Sequence, residues 1–360
     1  MSKHIVLTGG GTAGHIEPML ATAAALQTAD ESITITCVGS RGGLETTLVP
    51  ERGFELKVVP AVPLPRKLSA DLVTLIPRLG GAVKQTRKIL KTVHADAVVG
   101  FGGYAALPAY LAARSMKIPI VVHEANLTPG LANKVGARFA KAVATAAPIA
   151  SWPTAHVVGM PLRASLTSLD RAGLRDEALH HFNLIDHHPT LLVYGGSQGA
   201  RTLNTAIVGA AESLRAAGIQ ILHAYGKKNT VPTPRMTDGP RYVAVPYIDR
   251  MDLAYSVADF VLCRCGMGTV AEVSAVGLPA CYVPLPHGNG EQRLNAQPIV
   301  DAGGGLLVDD AQLTANYLQT SLAPLIAKAT TVAKMAACAT GAGHREAADK
   351  LAQLVLQVAR

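Results

Sequence analysis

Aromatic residues are scarce in this chain: Phe, Trp and Tyr make 4% of 360 residues, although hydrophobic residues reach 49%. The cores must therefore be filled by small aliphatic side chains, which suits parallel sheets whose buried strands read as short Val/Ile/Leu runs. Few rings also means few faces for bases to stack on, and no nucleic-acid motif is present, so a nucleic-acid partner is not expected. Acids are the minority charge, 25 against 33 Lys plus Arg, for a net charge of +8. That excess favours an anionic partner such as a phosphorylated substrate or an acidic lipid surface. There are five cysteines and no C-x-x-C pair. Cys37, Cys263, Cys265, Cys281 and Cys338 are expected to be buried, reduced thiols of a cytosolic protein, with no metal site at the Cys263/Cys265 spacing. No long apolar run is uninterrupted: the uncharged stretch from Ala97 to Ala113 is broken by Gly100, Gly102, Gly103 and Pro108, which argues against a membrane span. The opening Met-Ser-Lys-His-Ile-Val-Leu enters a strand directly, so no signal peptide is expected.

What the chain does have is glycine-rich strand-to-helix turns, one leading each half. Ile5-Val6-Leu7-Thr8 runs into Gly9-Gly10-Gly11-Thr12-Ala13-Gly14-His15, and Leu191-Leu192-Val193-Tyr194 runs into Gly195-Gly196-Ser197-Gln198-Gly199-Ala200. Glycine lets backbone N–H groups approach an anion, and the helix N-terminus adds partial positive charge, so each turn suits phosphate. Two such turns, in a chain long for one core, predict two Rossmann-like α/β domains facing across a cleft. Strands are expected near 4–8, 33–38, 56–59, 96–99, 119–123, 142–144 and 156–158. A second series is expected near 190–194, 219–224, 241–245, 259–262, 280–283 and 305–308, alternating with helices as βαβ units do. The pause around Gly159-Met160-Pro161-Leu162-Arg163 reads as the linker, and residues from about Thr314 onward read as helical.

Gly9-x-Gly11-x-x-Gly14 matches the dinucleotide fingerprint, which also wants an acid at the end of the second strand. That strand ends in Gly39-Ser40-Arg41, which permits only an NADP version and argues against a dehydrogenase. His15, just past the last glycine, is better suited to catalysis. Gly100-Phe101-Gly102-Gly103-Tyr104 forms a further anion-capable loop at the end of a strand in the same sheet. His123-Glu124-Ala125-Asn126 leaves its strand at the same edge, where Glu124 is either a site carboxylate or a cap or salt-bridge partner. In the second half, Arg264-Cys265-Gly266-Met267-Gly268-Thr269-Val270-Ala271-Glu272 frees backbone donors and sets Glu272 one to two turns into the next helix, where it can accept from ribose hydroxyls. The polar loop from Pro286 to Gln292, followed by Asn295, can reach a sugar.

Together these segments, with the Gly159–Arg163 linker and Gly277-Leu278-Pro279, make the chain resemble the MurG family of peptidoglycan glycosyltransferases of family 28. Their order and spacing are far more specific than any one alone. The resemblance implies a GT-B architecture. Residues 1–160 form an acceptor and membrane domain, residues 161–345 a UDP-sugar domain, and the helix at 346–360 packs back on the first. It implies inverting transfer of N-acetylglucosamine from UDP-N-acetylglucosamine to the C4 hydroxyl of lipid I, forming lipid II on the cytoplasmic face of the membrane. His15 is then the general base, with Glu124 able to share that task. The donor is met by Thr12, Ala13, Gly14, Asn126, Arg163, Ser197, Gln198, Ile248, Met267, Gly268, Thr269, Val270, Glu272 and Gln292. The acceptor diphosphate is met by Gly10, Gly11, Gly102, Gly103 and Tyr104. Cys265, where many relatives have serine, is expected to weaken one hydrogen bond near the donor. The implied partners are UDP-N-acetylglucosamine, lipid I, an anionic membrane surface and a cell-wall synthesis complex. No cofactor is required, and with no Asp-x-Asp motif a divalent cation is expected at most to stimulate. Other readings of the same residues are a related UDP-sugar transferase or epimerase and a non-catalytic nucleotide-binding protein.

Residues 60–91 carry Arg66, Lys67, Arg78, Lys84, Arg87, Lys88 and Lys91 against the single acid Asp71. Leu72, Leu75, Ile76 and Leu79 fall on one helical face, a pattern that docks on anionic lipid. Pro77 and Gly80-Gly81 are expected to kink or break that helix.

Overall fold

The computed structural model describes residues 2–62, 71–196, 198–232, 239–287 and 290–360. The chain divides into two compact units, residues 1–163 with 345–360, and residues 164–344. The first is built on seven strands: β1 (His4–Thr8), β2 (Thr34–Ser40), β3 (Glu55–Val59), β4 (Ala97–Gly100), β5 (Ile120–Glu124), β6 (Ala142–Thr145) and β7 (His156–Val157). They pair in parallel in the order β3-β2-β1-β4-β5-β6-β7. The second unit has β8 (Thr190–Tyr194), β9 (Gln220–Ala224), β10 (Tyr242–Val245), β11 (Phe260–Arg264), β12 (Ala280–Val283) and β13 (Gly305–Leu307). These are also parallel, in the order β10-β9-β8-β11-β12-β13. Each sheet thus runs outward in both directions from its first strand, the doubly wound Rossmann order.

Both faces of each sheet are covered, and the side chains sort by the two-residue period of a strand. In β1, Ile5 and Leu7 enter one core while Val6 enters the core on the other side. In β8 and β11, Leu192, Tyr194, Val261 and Cys263 face one way; Leu191, Val193, Phe260 and Leu262 face the other. The first unit's helices include α1 (Ala13–Ala29), α2 (Glu45–Glu51), α3 (Asp71–Thr92), α4 (Ala106–Ser115) and α5 (Leu131–Ala137). Its last helix, Ala347–Val358, buries Ala348, Leu351, Ala352 and Val355 in the same core as Met19 and Leu20 of α1. Those positions follow the i, i+3, i+4, i+7 stripe, and Leu351 and Val355 each stabilise the seat by about 1.5–3 kcal/mol. Lys3 Nζ donates to the Ala359 carbonyl at 3.1 Å.

Two expectations are corrected here. Pro77 and Gly80-Gly81 do not break their helix: α3 runs continuously from Asp71 to Thr92. Ala82, Leu79, Val83 and Leu90 pack into the core beside α4, and that tertiary packing outweighs the loss of helix propensity. Cys338 is exposed on the helix Ala329–Ala342, whereas Cys37, Cys263, Cys265 and Cys281 are buried free thiols as expected. Arg66 and Lys67 lie outside the described residues.

Candidate active site

In an open α/β sheet, ligands bind beyond the carboxyl ends of the strands, at the point where strand order reverses. In the first unit that point lies between β1 and β4. The loops leaving those strands are Gly9–Thr12 and Phe101–Ala105, the two glycine-rich segments singled out in the sequence. They touch: a Cβ on Gly103, whose φ is +84°, would collide with the backbone of Gly10. Thr12 is the N-cap of α1, and Ala13 and Gly14 are its exposed first residues. The Thr12 carbonyl accepts from the His15 and Ile16 amides at 3.1 and 3.2 Å. Tyr104 is 49% exposed, with its ring beside Gly11.

His15 is half-buried. Its Nδ1 lies 3.1 Å from the Gly10 carbonyl and 3.2 Å from Thr12 Oγ1. A carbonyl can only accept, so Nδ1 carries the proton and the lone pair of the neutral ring is on Nε2. Beside Nε2 stands Gly102, where a Cβ would approach to 3.1 Å and where φ is +93°. Glycine there satisfies the backbone and keeps the imidazole edge clear.

Glu124 is placed differently from the expectation that it shares the catalytic task. It is buried at the end of β5, and its oxygens accept from the amides of Asn126 and Gly130 at 2.9 Å each and from Asn133 Nδ2 at 2.9 Å. Asn133 is held in turn by the Tyr110 hydroxyl at 2.7 Å. The carboxylate pins the 124–130 loop and so positions Asn126, whose side chain turns back toward it at 3.5 Å. Neighbouring His123 is buried too, with Nε2 on the Gly159 carbonyl at 3.0 Å, and burial pushes its pKa down to about 4. It is a neutral core histidine. Arg163 reaches back to Glu17 of α1 at 4.0 Å, and Glu17 also pairs with Arg52 at 3.3 Å.

Part of the first glycine loop, expected at the acceptor diphosphate, already has an internal partner. The Gly11 amide already donates to Glu45 Oε2 at 3.0 Å, and the Glu45 side chain packs against Gly10. That amide is therefore already engaged by an internal carboxylate, whereas Gly102, Gly103 and Tyr104 remain candidate acceptor contacts. Glu45 lies four residues beyond Arg41, outside the strand end where a ribose-binding acid is expected, so no motif pointed to it.

In the second unit the reversal lies between β8 and β11. Of the β8 loop, Ser197 lies outside the described residues and Gln198 is exposed. Asn229 Nδ2 donates to the Gln198 carbonyl at 2.8 Å and the Tyr225 carbonyl at 3.0 Å. Gly199 and Gly226 pack so closely that a Cβ on either would collide with the other's loop. After β11, Gly266 is the N-cap of the helix Met267–Ala275. Nothing stands within 4 Å of a Cβ built on Gly266 or Gly268, so the approach to this helix end is open. Met267, Gly268 and Thr269 supply first-turn amides. Val270 does not belong with them: its amide donates to the Gly266 carbonyl at 3.0 Å, and its side chain is in the core. Cys265 is likewise wholly buried in that core, with its thiol pushed up to about 12 by burial.

Glu272 is held by a buried chain that the sequence did not reveal. Tyr255 Oη donates to Glu272 Oε2 at 2.9 Å, and Tyr194 and Tyr255 hydroxyls meet at 3.0 Å. Burial holds both phenols well above their ordinary pKa, with the Glu272 charge adding to it, so the chain stays protonated and Tyr255 stays a donor. Ile248 has its side chain in the core, which leaves only its backbone for a ligand. Gln292 Oε1 accepts from the Leu285 amide at 3.1 Å, bracing the loop after β12. Among the described residues, no group of three His, Cys, Asp or Glu side chains could hold a metal ion.

Residues 5–145 match the glycosyltransferase family 28 N-terminal domain, and residues 190–351 match the family 28 C-terminal domain. The chain belongs to glycosyltransferase family 28. A Nocardia farcinica family member named UDP-N-acetylglucosamine–N-acetylmuramyl-(pentapeptide) pyrophosphoryl-undecaprenol N-acetylglucosamine transferase is 56% identical over 99% of this chain and 96% of its own length. A Streptomyces avermitilis protein of the same name is 56% identical over 98% of both chains. The crystal structure of Acinetobacter baumannii MurG matches with a TM-score of 0.78 at 28% identity, covering 99% of each chain. The two Rossmann-type units of this family 28 chain are thus those of the GT-B class, and both reversal points fall inside the matched domains.

Proposed function

We propose that this enzyme transfers N-acetylglucosamine from UDP-N-acetylglucosamine to the C4 hydroxyl of N-acetylmuramyl-(pentapeptide)-pyrophosphoryl-undecaprenol. The activity for which the relatives are named supports the substrates. The observation that carries the chemistry is His15, its Nδ1 fixed on the Gly10 carbonyl and its Nε2 edge kept clear by Gly102. Transfer from an α-linked nucleotide sugar to a β1→4 product inverts the anomeric carbon in one displacement. As the acceptor oxygen attacks, its proton passes to the Nε2 lone pair, the role of a general base. The C1–O bond to UDP breaks with its electron pair leaving on the diphosphate. Amides at helix N-termini stabilise that charge: Met267, Gly268 and Thr269, with the Ser197–Gln198 loop beside them in the reading. Glu272 takes the ribose hydroxyls, the Ile248 backbone the uracil and Gln292 the sugar. Thr12, Ala13, Gly14, Asn126 and Arg163 of the first unit are also assigned to the sugar in this reading. In this reading no cofactor takes part, and a divalent cation only stimulates.

The lipid acceptor places the enzyme at the cytoplasmic membrane surface in this proposal. Among the described residues no single helix is long and apolar enough to cross a membrane. α3 presents Arg78, Lys84, Arg87, Lys88 and Lys91 exposed, with Ile76 beside them at 75% exposure, a face suited to anionic headgroups. The test of the activity is UDP release from UDP-N-acetylglucosamine with and without a lipid I analogue, with the product weighed by mass spectrometry. Release only with acceptor, and a product heavier by one N-acetylhexosamine, is expected. Donor turnover without acceptor would favour the epimerase reading instead.

A further inference from the structure

Glu45 opens α2 and is 0% exposed. Its Oε1 accepts from the Ser40 amide at 2.8 Å and the Ser40 hydroxyl at 2.7 Å, and its Oε2 from the Gly11 amide at 3.0 Å. A Cβ on Gly10, Gly39 or Gly43 would collide with this side chain, so three glycines make the cage it sits in. Burial opposes the charged form, yet these hydrogen bonds hold the carboxyl below its ordinary range. A buried carboxylate is costly unless fully bonded, and this one is held by dipoles from two loops.

The amide it captures belongs to the Gly10–Gly11 peptide. In a trans peptide the N–H and the C=O lie in one plane and point in opposite directions. The carbonyl of that same peptide is the one that accepts from His15 Nδ1 at 3.1 Å. With glycine on both sides, this plane has little steric reason to hold one orientation. We propose that Glu45 is a positioning residue that acts on His15 through the Gly10–Gly11 peptide plane. By holding the N–H, it turns the carbonyl toward Nδ1, fixes the Nδ1–H tautomer, and so keeps the lone pair on Nε2. Freed of Glu45, the plane can turn its N–H toward the ring, which favours the Nε2–H tautomer and removes the base. The inference rests on His15 being the base in the reading above.

The test combines kinetics with ¹⁵N NMR of histidine-labelled full-length protein, His15 being assigned by comparison with His15→Gln. Wild-type neutral His15 is expected as Nδ1–H; an Nε2–H form would overturn the proposal without any other variant. Isosteric Glu45→Gln puts an NH₂ against one of the donors and should move His15 toward Nε2–H. Its kcat should fall about 10²-fold, the cost of misplacing a catalytic group by about 1 Å, with the KM for donor unchanged. In Glu45→Ala, formate fits the vacated cage and should restore activity saturably, but not in His15→Ala. A folded Glu45→Gln with wild-type kcat, or a loss of kcat with the tautomer unchanged, would overturn the proposal. Transfer retained in His15→Ala would instead remove the reading on which it rests.

Discussion

Glu272 keeps one oxygen on a buried phenol, and that contact helps fix how its carboxylate is presented. Tyr255 is wholly buried and cannot swing away, so the Tyr194–Tyr255–Glu272 chain is a rigid mount for the ribose contact proposed above. Tyr255→Phe removes the donor and leaves the ring packing intact. A hydrogen bond to a charged group is worth about 1.5–3 kcal/mol, so UDP binding measured by calorimetry should weaken about tenfold. Binding of 2′-deoxy-UDP, which lacks one of the hydroxyls, should weaken less. Equal weakening of both would show that Tyr255 serves only the core. At this scale the sequence was informative about place wherever the residue sits inside its own motif: His15, Gly102 and Glu272 lie on the loops and helical turns where they were expected. It was silent where a partner arrives from a distant segment. Glu45 reaches Gly11 across 34 positions and Tyr255 reaches Glu272 across 17, and no local pattern encodes those meetings.

Elements were legible where their signal is local and redundant. Short Val/Ile/Leu runs bounded by glycine marked the strands of both sheets, because a strand buried on both faces admits little else. The strand order itself follows from parallel crossovers, and with it the two loop clusters at the reversal points. α3 was misjudged because propensity weighs Pro77 and two glycines against a helix, while the packing that sustains it comes from α4. Its exposed basic face carries a prediction of its own. Arg87→Gln with Lys91→Gln should lower partitioning to phosphatidylglycerol vesicles about 30-fold, at about 1 kcal/mol per charge near the surface. High salt should lower wild-type partitioning in the same direction. Unchanged co-sedimentation of the double variant would place the membrane contact elsewhere.

Each of the two units carries one buried neutral histidine, which links stability to pH across the whole molecule. His123 in the first unit and His223 in the second both have pKa values pushed down to about 4 by burial, against an ordinary 6.5. His223 is bonded at 2.9 Å to the Tyr242 hydroxyl and at 3.0 Å to Asn204 Oδ1. Between those pH values the unfolded chain binds more protons than the folded one, so stability rises with pH. The contribution is complete above about 6.5 and is lost as pH falls toward about 4, on the order of 3 kcal/mol per histidine. Thermal unfolding midpoints measured across that window should fall with acidification, and a flat profile would contradict the burial of both rings.

In the proposed reaction, transfer by the whole molecule depends on His15 accepting the proton of the acceptor hydroxyl. The measurement that tests it most directly is lipid I analogue-dependent UDP release by His15→Ala beside wild type, with donor affinity measured on the same preparations. Loss of a positioned general base costs about 10²–10⁴-fold, so release should collapse by that factor while UDP-N-acetylglucosamine binds as before. Release at the wild-type rate by a folded His15→Ala would contradict the account.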